Sequence, residues 1–412
     1  MDKFEAMDSL LRQRLRSAGL PETFCVMPWT SLFFSPSGHL LPCCNYDWEQ
    51  RGSLRAHDSL LSAANDAKHV ALRETMLEQG MSESCRRCHM REENQQISQR
   101  MGQTSSVSDE ILSHIAATRD DDQTLADFRM MHWDLRYDNT CNLACRTCSP
   151  GCSSTIAAET KQKLPYLDKE KWQAEMLKEI PHVINAHFAG GEPLLMPGHR
   201  QILREIIAQG KADSRISYNT NLTRLDHRGD DIIPLWKQLS NLEIMVSLDH
   251  VGPAAGYVRH GTDWSKFIQN WERLNSECPH AHIGLVLTWS LYNALDLCDI
   301  IDHVITELGT EHIDINYVGG EIWYPWNLPT HVKVPLRDKM LSWSDRNHNL
   351  RIGRLIRRLA DDVMQTSEPS RLQGFRRHVA HLDRLRSVSM ADSLPNLWAV
   401  LVENTTEPMG DD

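Results

Sequence analysis

The sequence predicts an α/β protein: a partial (βα)6 TIM-like barrel with a small cysteine-bearing amino-terminal unit and a helical carboxyl-terminal extension. Three observations predict it. From residue 130 onward, strand-like and helical runs alternate six times, the pattern of parallel βα units. Nine of the eleven cysteines fall in two groups, one before residue 90 and one directly after the first strand-like run. Past Pro325 the strand pattern stops and apolar residues recur at helical spacing. A chain of 412 residues has, at roughly 150 residues per domain, room for one large core and a smaller companion.

Residues 1–106 read as a loop-rich unit: an amphipathic opening helix, a hairpin-like FSPSGHLLPCC, a helix through AANDAKHVALRETMLEQG, and a knuckle at Cys85 and Cys88. Its apolar runs are short, so a metal centre is expected to help hold it together. Residues 107–129 are polar, carry the Asp120, Asp121, Asp122 triplet, and read as a linker helix. Residues 130–324 form the barrel, with strands in MMHWDLRY, AHFAG, RISYNTN, LEIMVSLD, HIGLVLTW and HIDINYV. Six units fall short of the usual eight-stranded barrel, so a partial one is expected, with function at the carboxyl ends of its strands. Residues 325–412 form the helical extension. There Ile352, Leu355, Ile356, Leu359 and Val363 mark a buried stripe, and Arg351, Arg354, Arg357 and Arg358 a solvated face. The final ENTTEPMGDD reads as frayed.

Composition excludes several classes. An apolar content of 41% and a charged content of 24% fit a globular chain rather than a disordered one. The net charge of −11 gives no general attraction to nucleic acid or anionic membranes, so neither is an expected partner; the basic segment 349–386 is the one local exception. No apolar run approaches the ~20 residues of a membrane span, and the opening MDKFEAMDSLLRQRL carries acids in an amphipathic pattern unlike a signal peptide. A cytoplasmic location is expected. A reducing compartment disfavours disulfides, so grouped cysteines point to metal or cluster ligation.

Cys141, Cys145 and Cys148 in DNTCNLACRTCSP have Cys-x3-Cys-x2-Cys spacing on one loop after the first barrel strand. Three thiolates can hold three irons of a [4Fe–4S] cluster and leave the fourth for a chelating ligand. Structural zinc is the alternative, but it normally takes four protein ligands. Cys152 is an alternative fourth ligand that cluster spacing does not require. Cys25, Cys43, Cys85 and Cys88 supply four thiolates, with Cys44 competing with Cys43; this set suits a closed [4Fe–4S] cluster or, as a Cys-x2-Cys knuckle site, zinc. Cys278 and Cys298 stand alone in helical stretches and read as small buried hydrophobes.

At the three-cysteine loop the chain resembles the radical S-adenosylmethionine superfamily, and AGGEPLL, SYNTN, VSLD and VLTW follow in order at the ends of the next strands. The resemblance implies that Cys141, Cys145 and Cys148 hold the catalytic cluster, whose open iron chelates S-adenosylmethionine. One electron then cleaves the sulfonium, and the resulting 5′-deoxyadenosyl radical abstracts a substrate hydrogen. It also implies that Gly190 and Gly191 let backbone approach the methionine moiety, that Glu192 takes its amino group, and that Asn219 or Asn221, Ser247 and Asp249 hold ribose and carboxylate. Arg259 is a candidate carboxylate partner, and Thr288 borders the adenine.

The amino-terminal cysteines resemble a twitch or SPASM-like auxiliary unit placed ahead of the barrel. The resemblance implies two [4Fe–4S] clusters and S-adenosylmethionine as cofactors, and an external electron donor such as flavodoxin or ferredoxin as partner. The expected reaction is an oxidative modification of a peptide or protein side chain. A small-molecule substrate such as a sugar, nucleoside or amino-acid derivative, with epimerisation among the reactions, is the alternative.

Overall fold

The computed structural model describes residues 3–403; residues 404–412, in the run read as frayed, lie outside them. Residue contacts divide the chain into two compact units. The first comprises Met1–Cys141, Pro150–Asn219 and Arg228–Glu243, and the second Asn142–Ser149, Thr220–His227 and Ile244–Asp412.

In the first unit, α1 (Lys3–Ser17) buries Leu11 and Leu15 against Phe24, Met76 and Met101. Strands β1 (Ser31–Phe34), β2 (His39–Leu41) and β3 (Gly52–Ser53) pair antiparallel in sequence. The β1–β2 hairpin is the one expected from FSPSGHLLPCC. Gly38 closes its turn at φ +71°, donating its N–H to Ser35 O at 2.8 Å, a conformation that costs glycine little.

Strands β4 (His132–Leu135), β5 (Asn185–Phe188) and β6 (Arg215–Thr220) run parallel and coincide with the first three strand-like runs. The sequence reading did not foresee that β1 pairs in parallel with β4, Ser31 opposite His132 and Phe33 opposite Asp134. The hairpin therefore extends the sheet, in the order β6-β5-β4-β1-β2-β3. All four residues of β1 are buried, as in a strand covered on both faces, and the edge of β4 is thereby paired.

Alternation gives this sheet two unlike faces. Trp133, Leu135, Ala186, Phe188, Ile216 and Tyr218 are at most 1% exposed. Phe188 stacks on Tyr218 at 5.0 Å, and Tyr218 meets Trp236 edge-on at 5.3 Å. Helices α2 (Lys169–Lys178) and α3 (His199–Ala208) bury Trp172, Met176, Ile202, Leu203 and Ile206. Each large side chain so buried contributes about 1.5–3 kcal/mol. The opposite face carries His132, Asp134, Asn185, His187 and Ser217.

The second unit contains β7 (Leu242–Ser247, from Ile244), β8 (His282–Trp289) and β9 (Ile313–Tyr317), in the order β9-β8-β7. They fall on the last three strand-like runs, and β8 and β9 are parallel, Leu285 opposite Ile313. The carboxyl-terminal region is helical as expected: α4 (Thr330–Arg346), α5 (Arg351–Asp362), α6 (Pro369–Arg386) and α7 (Pro395–Glu403). In α5 the stripe Ile352, Ile356, Leu359 is buried together with the following Val363, while Leu355 is only partly covered. All four arginines of the other face are exposed; Arg351 pairs with Asp314 and Arg357 with Asp345. Cys278 and Cys298 are buried. Among the described residues, no helix is long and apolar enough to cross a membrane.

Candidate active site

Cys141 lies in the first unit, where the flanks of its loop are tied together. Its N–H donates to Ser154 Oγ at 3.1 Å and its carbonyl accepts Thr155 Oγ1 at 2.7 Å. Ser154 N–H donates to Asn139 O at 2.7 Å. Buried Asp138 accepts the Thr140 N–H at 2.6 Å and Lys169 Nζ at 2.7 Å. Gly190 and Gly191 pack onto this backbone: a Cβ on Gly191 would stand 2.3 Å from Thr140 O, and one on Gly190 3.0 Å from Asp138 O. The close approach these glycines permit is thus to the protein's own loop. Glu192, 1% exposed, donates its N–H to Thr140 O at 2.7 Å and accepts the Leu194 N–H on Oε1 at 3.1 Å. Asn219 lies in β6 at the end of the same unit.

The second unit holds Cys145 and Cys148, linked by Cys148 N–H to Cys145 O at 3.1 Å. Cys145 is the cross-strand neighbour of Arg259. Burial pushes its thiol up, and the Arg259 cation opposes that shift. Arg146, between the two cysteines, is fully buried. Its guanidinium lies 3.5 Å over the Tyr257 ring, Nε donates to Tyr257 O at 2.9 Å, and Nη2 to Asp383 Oδ1 at 2.5 Å. His378 Nε2 sits 3.0 Å from Arg146 O. Helix α6 thereby grips the cysteine loop from the carboxyl-terminal extension.

Asp249 and Arg259 meet as an ion pair at 2.9 Å, and the other Asp249 oxygen accepts the Thr288 N–H at 2.7 Å. The structure thus brings together three expected cofactor residues and uses the Asp249 carboxylate to hold two of them. Asn293 donates to Asp249 O and Thr288 O, both at 3.0 Å. Asn221 donates to Asn142 Oδ1 at 3.1 Å and accepts from Thr223, supporting the residue after Cys141. Ser247 ends β7 and is half-buried.

In the first unit Cys25, Cys43, Cys85 and Cys88 line one cavity with Met27, Met76 and Arg100. Burial pushes all four thiols up, Cys85 to about 12, and Cys25 and Cys43 are raised further by the other cysteines. Cys44 does not line the cavity. Its thiol, raised to about 12 by burial and then by Asp134, lies toward Asp134 and Arg136. Among the described residues, no three His, Cys, Asp or Glu side chains converge as for a single metal ion. Four cysteines lining one cavity can supply the thiolate ligands of an iron–sulfur cluster. Arg100 is 3% exposed, held by Glu92 at 2.7 Å and by Phe24 O at 3.0 Å. Its charge lowers the Cys25, Cys85 and Cys88 thiols, the sense needed for metal-bound thiolates.

Sequence reasoning missed Arg100, Arg146, Asp383 and the Asp134–Arg136–His187 group. Arg146 had a signal, since an arginine inside a cysteine loop must be paired or exposed; its partner, 237 residues away, had none.

The radical SAM superfamily model matches residues 137–290, and the model of SPASM, an iron–sulfur cluster-binding domain, matches residues 25–89. No curated protein matches the sequence significantly. Among solved structures, native anSMEcpe with bound AdoMet is 16% identical with a TM-score of 0.36, covering 46% of this chain and 52% of that one. Streptococcus suis SuiB bound to precursor peptide SuiA is 13% identical with a TM-score of 0.36, covering 72% and 63%. TYW1 with a lysine-pyruvate adduct bound is 13% identical with a TM-score of 0.30, covering 51% and 70%. The match spans about half the length of the first of these.

Proposed function

The chain is a radical SAM enzyme with a SPASM-type auxiliary unit ahead of its radical SAM domain, and from that premise we propose that it oxidatively modifies a peptide or protein side chain. S-adenosylmethionine and its [4Fe–4S] cluster, when bound, supply one-electron cleavage of the sulfonium and hydrogen abstraction from substrate. Cys141, Cys145 and Cys148 are the ligands of that cluster. Cys25, Cys43, Cys85 and Cys88 would hold the second, and four thiolates would suit it to supply an electron acceptor rather than a substrate-binding site. Glu192, Asn219, Asn221, Ser247, Asp249, Arg259 and Thr288 orient the cofactor, Asn221 and Asp249 by holding the residues around it.

The observation that carries this reading is the four-thiol cavity in a chain that also matches the radical SAM model: a closed auxiliary cluster would suit removal of an electron from a substrate radical. An open cavity of about 460 Å3 in the first unit, lined by Pro36, Asn139 and the Leu164–Glu170 segment, is of ligand-binding size. The electron comes from an external low-potential protein such as a flavodoxin or ferredoxin.

The test is anaerobic turnover with S-adenosylmethionine, a one-electron reductant and candidate peptides, followed by mass spectrometry. Formation of 5′-deoxyadenosine with loss of two hydrogens from the peptide is expected, and changing Cys141, Cys145 and Cys148 together to Ala abolishes both. Cleavage surviving that triple change refutes the ligand assignment. A peptide of unchanged mass that gains solvent deuterium at carbon overturns the oxidative outcome in favour of epimerisation.

A further inference from the structure

The polar face of β4, β5 and β6 is finished differently along its length. His132, Asn185 and Arg215 form one row across the strands, and Asp134, His187 and Ser217 form the next on the same face. The helix Gln99–Ser106 caps the first row: Ser106 Oγ meets His132 Nε2 at 2.9 Å, and Gln103 accepts from Asn185. Thr30 Oγ1 takes the other His132 nitrogen at 2.8 Å. No helix covers the second row in this way; the Cys44 thiol lies toward its Asp134 and toward Arg136. His187 Nδ1 is 2.9 Å from Ser217 Oγ, and its Nε2 has no partner among the described residues. Asp134, 7% exposed, accepts Arg136 Nε at 2.6 Å. Among the described residues, Nη1 and Nη2 of Arg136 donate to no acceptor, although the side chain is only one-third exposed.

A guanidinium in this state holds one carboxylate and keeps a two-pronged fork for another, the geometry that recognises a carboxylate in a bidentate fashion. A polar row that keeps hydrogen-bonding capacity unused on Arg136 and His187, beside a row whose His132 and Asn185 are covered by a helix, has the character of a ligand layer, since buried polar groups without partners cost stability. Burial pushes His187 down to about 4, so its imidazole is neutral beside the cation and competes with no anion for it.

We propose that Arg136 anchors the substrate through a carboxylate group, above a polar floor formed by Asp134, His187 and Ser217. The inference rests on the proposed function only in calling the bound molecule a substrate. Carboxylates come from two sources here, substrate and S-adenosylmethionine, and the test separates them.

Full-length protein loaded anaerobically with iron and sulfide is titrated with glutarate and with its neutral diamide, glutaramide, by saturation-transfer NMR in the oxidised state. The titration is repeated at saturating S-adenosylmethionine. Glutarate binding that persists with the cofactor present, is about tenfold or more tighter than that of glutaramide, and is lost to a similar degree in Arg136→Gln is expected from two charge-assisted hydrogen bonds. Circular dichroism and iron content establish that the variant is folded and loaded; if it is not, Arg136→Lys, which keeps charge and removes the planar fork, carries the same decision. No saturation transfer to glutarate in the wild type, equal binding of the diamide, or unchanged binding in the variants overturns the proposal. Displacement of glutarate by S-adenosylmethionine also overturns it, assigning the fork to the cofactor. No turnover is needed, so a protein that fails to cleave S-adenosylmethionine yet binds glutarate through Arg136 sinks the radical reading and leaves this site standing.

Discussion

Arg146 Nη2 and Asp383 Oδ1 stand 2.5 Å apart although 237 residues separate them in sequence. Tyr257 OH donates to the same oxygen at 2.8 Å, and Asp383 Oδ2 accepts the Met390 N–H at 2.8 Å. One carboxylate thus fixes the arginine between Cys145 and Cys148, a ring on the neighbouring helix and the start of the segment after α6. Asp383→Ala leaves a fully buried guanidinium without its counter-charge, a change that costs about 3–5 kcal/mol. Denaturant unfolding should show that loss, with faster release of iron from the catalytic cluster than from the auxiliary one. Unchanged stability and iron retention would make the contact incidental.

Cys43 and Cys44, adjacent in sequence, have separate surroundings. Cys43→Ala should lower iron from about eight to about four per fully loaded chain, the content of one [4Fe–4S] cluster, while Cys44→Ala should leave it unchanged. Iron and sulfide analysis after anaerobic loading checks this, and the reverse result swaps the two assignments. Stoichiometric zinc with about half the iron would point to the knuckle alternative.

His199 is fully buried, its Nε2 lies 2.9 Å from Tyr218 OH, and burial, aided by the Arg200 charge, depresses it to about 3. The unfolded chain binds a proton at this residue from its ordinary pKa of about 6.5 downward, whereas the folded one does not. The neutral imidazole's contribution is therefore complete above pH 6.5 and is lost as pH falls toward 3. His199→Gln should reduce the fall in unfolding free energy below pH 6.5 by about 1.4 kcal/mol per pH unit. Paired denaturant titrations at pH 7 and 5 compare the two proteins under identical cluster conditions; parallel falls would refute the assignment.

Gly191→Ala should disturb the cysteine loop from a distance in sequence, because its Cβ meets the backbone of Thr140 and Asn139 rather than a side chain that can turn away. Overpacking of this kind costs about 1–3 kcal/mol. Weaker binding of S-adenosylmethionine with the auxiliary cluster intact is expected by calorimetry; a neutral substitution would mean that the loop yields freely.

The six barrel strands and the carboxyl-terminal helices were legible because period and length suffice to define them: HIGLVLTW and RIGRLIRRLADD carry their own pattern. The β1–β4 pairing was not legible, since SLFF is too short to show which strand it will join. Among site residues, the cysteines announced themselves by spacing. Arg136 and His187 gave no signal, because one polar residue in a strand reads as ordinary alternation until the register sets it beside Asp134. The Asn221 and Asp249 side chains were expected toward a ligand, and the structure shows that they also hold Asn142 and Arg259, a distinction that residue type alone does not make.

Because Phe33 is opposite Asp134, the auxiliary hairpin cannot complete its hydrogen-bond ladder until about a hundred further residues have left the ribosome. At about 5–20 residues per second this leaves an apolar strand edge waiting on the order of 5–20 s during synthesis. Over that interval the nascent chain resembles a template for intermolecular pairing. Slower translation ahead of residue 132 should therefore cost soluble yield, and an excised amino-terminal unit should aggregate unless it is supplied with a strand to replace β4.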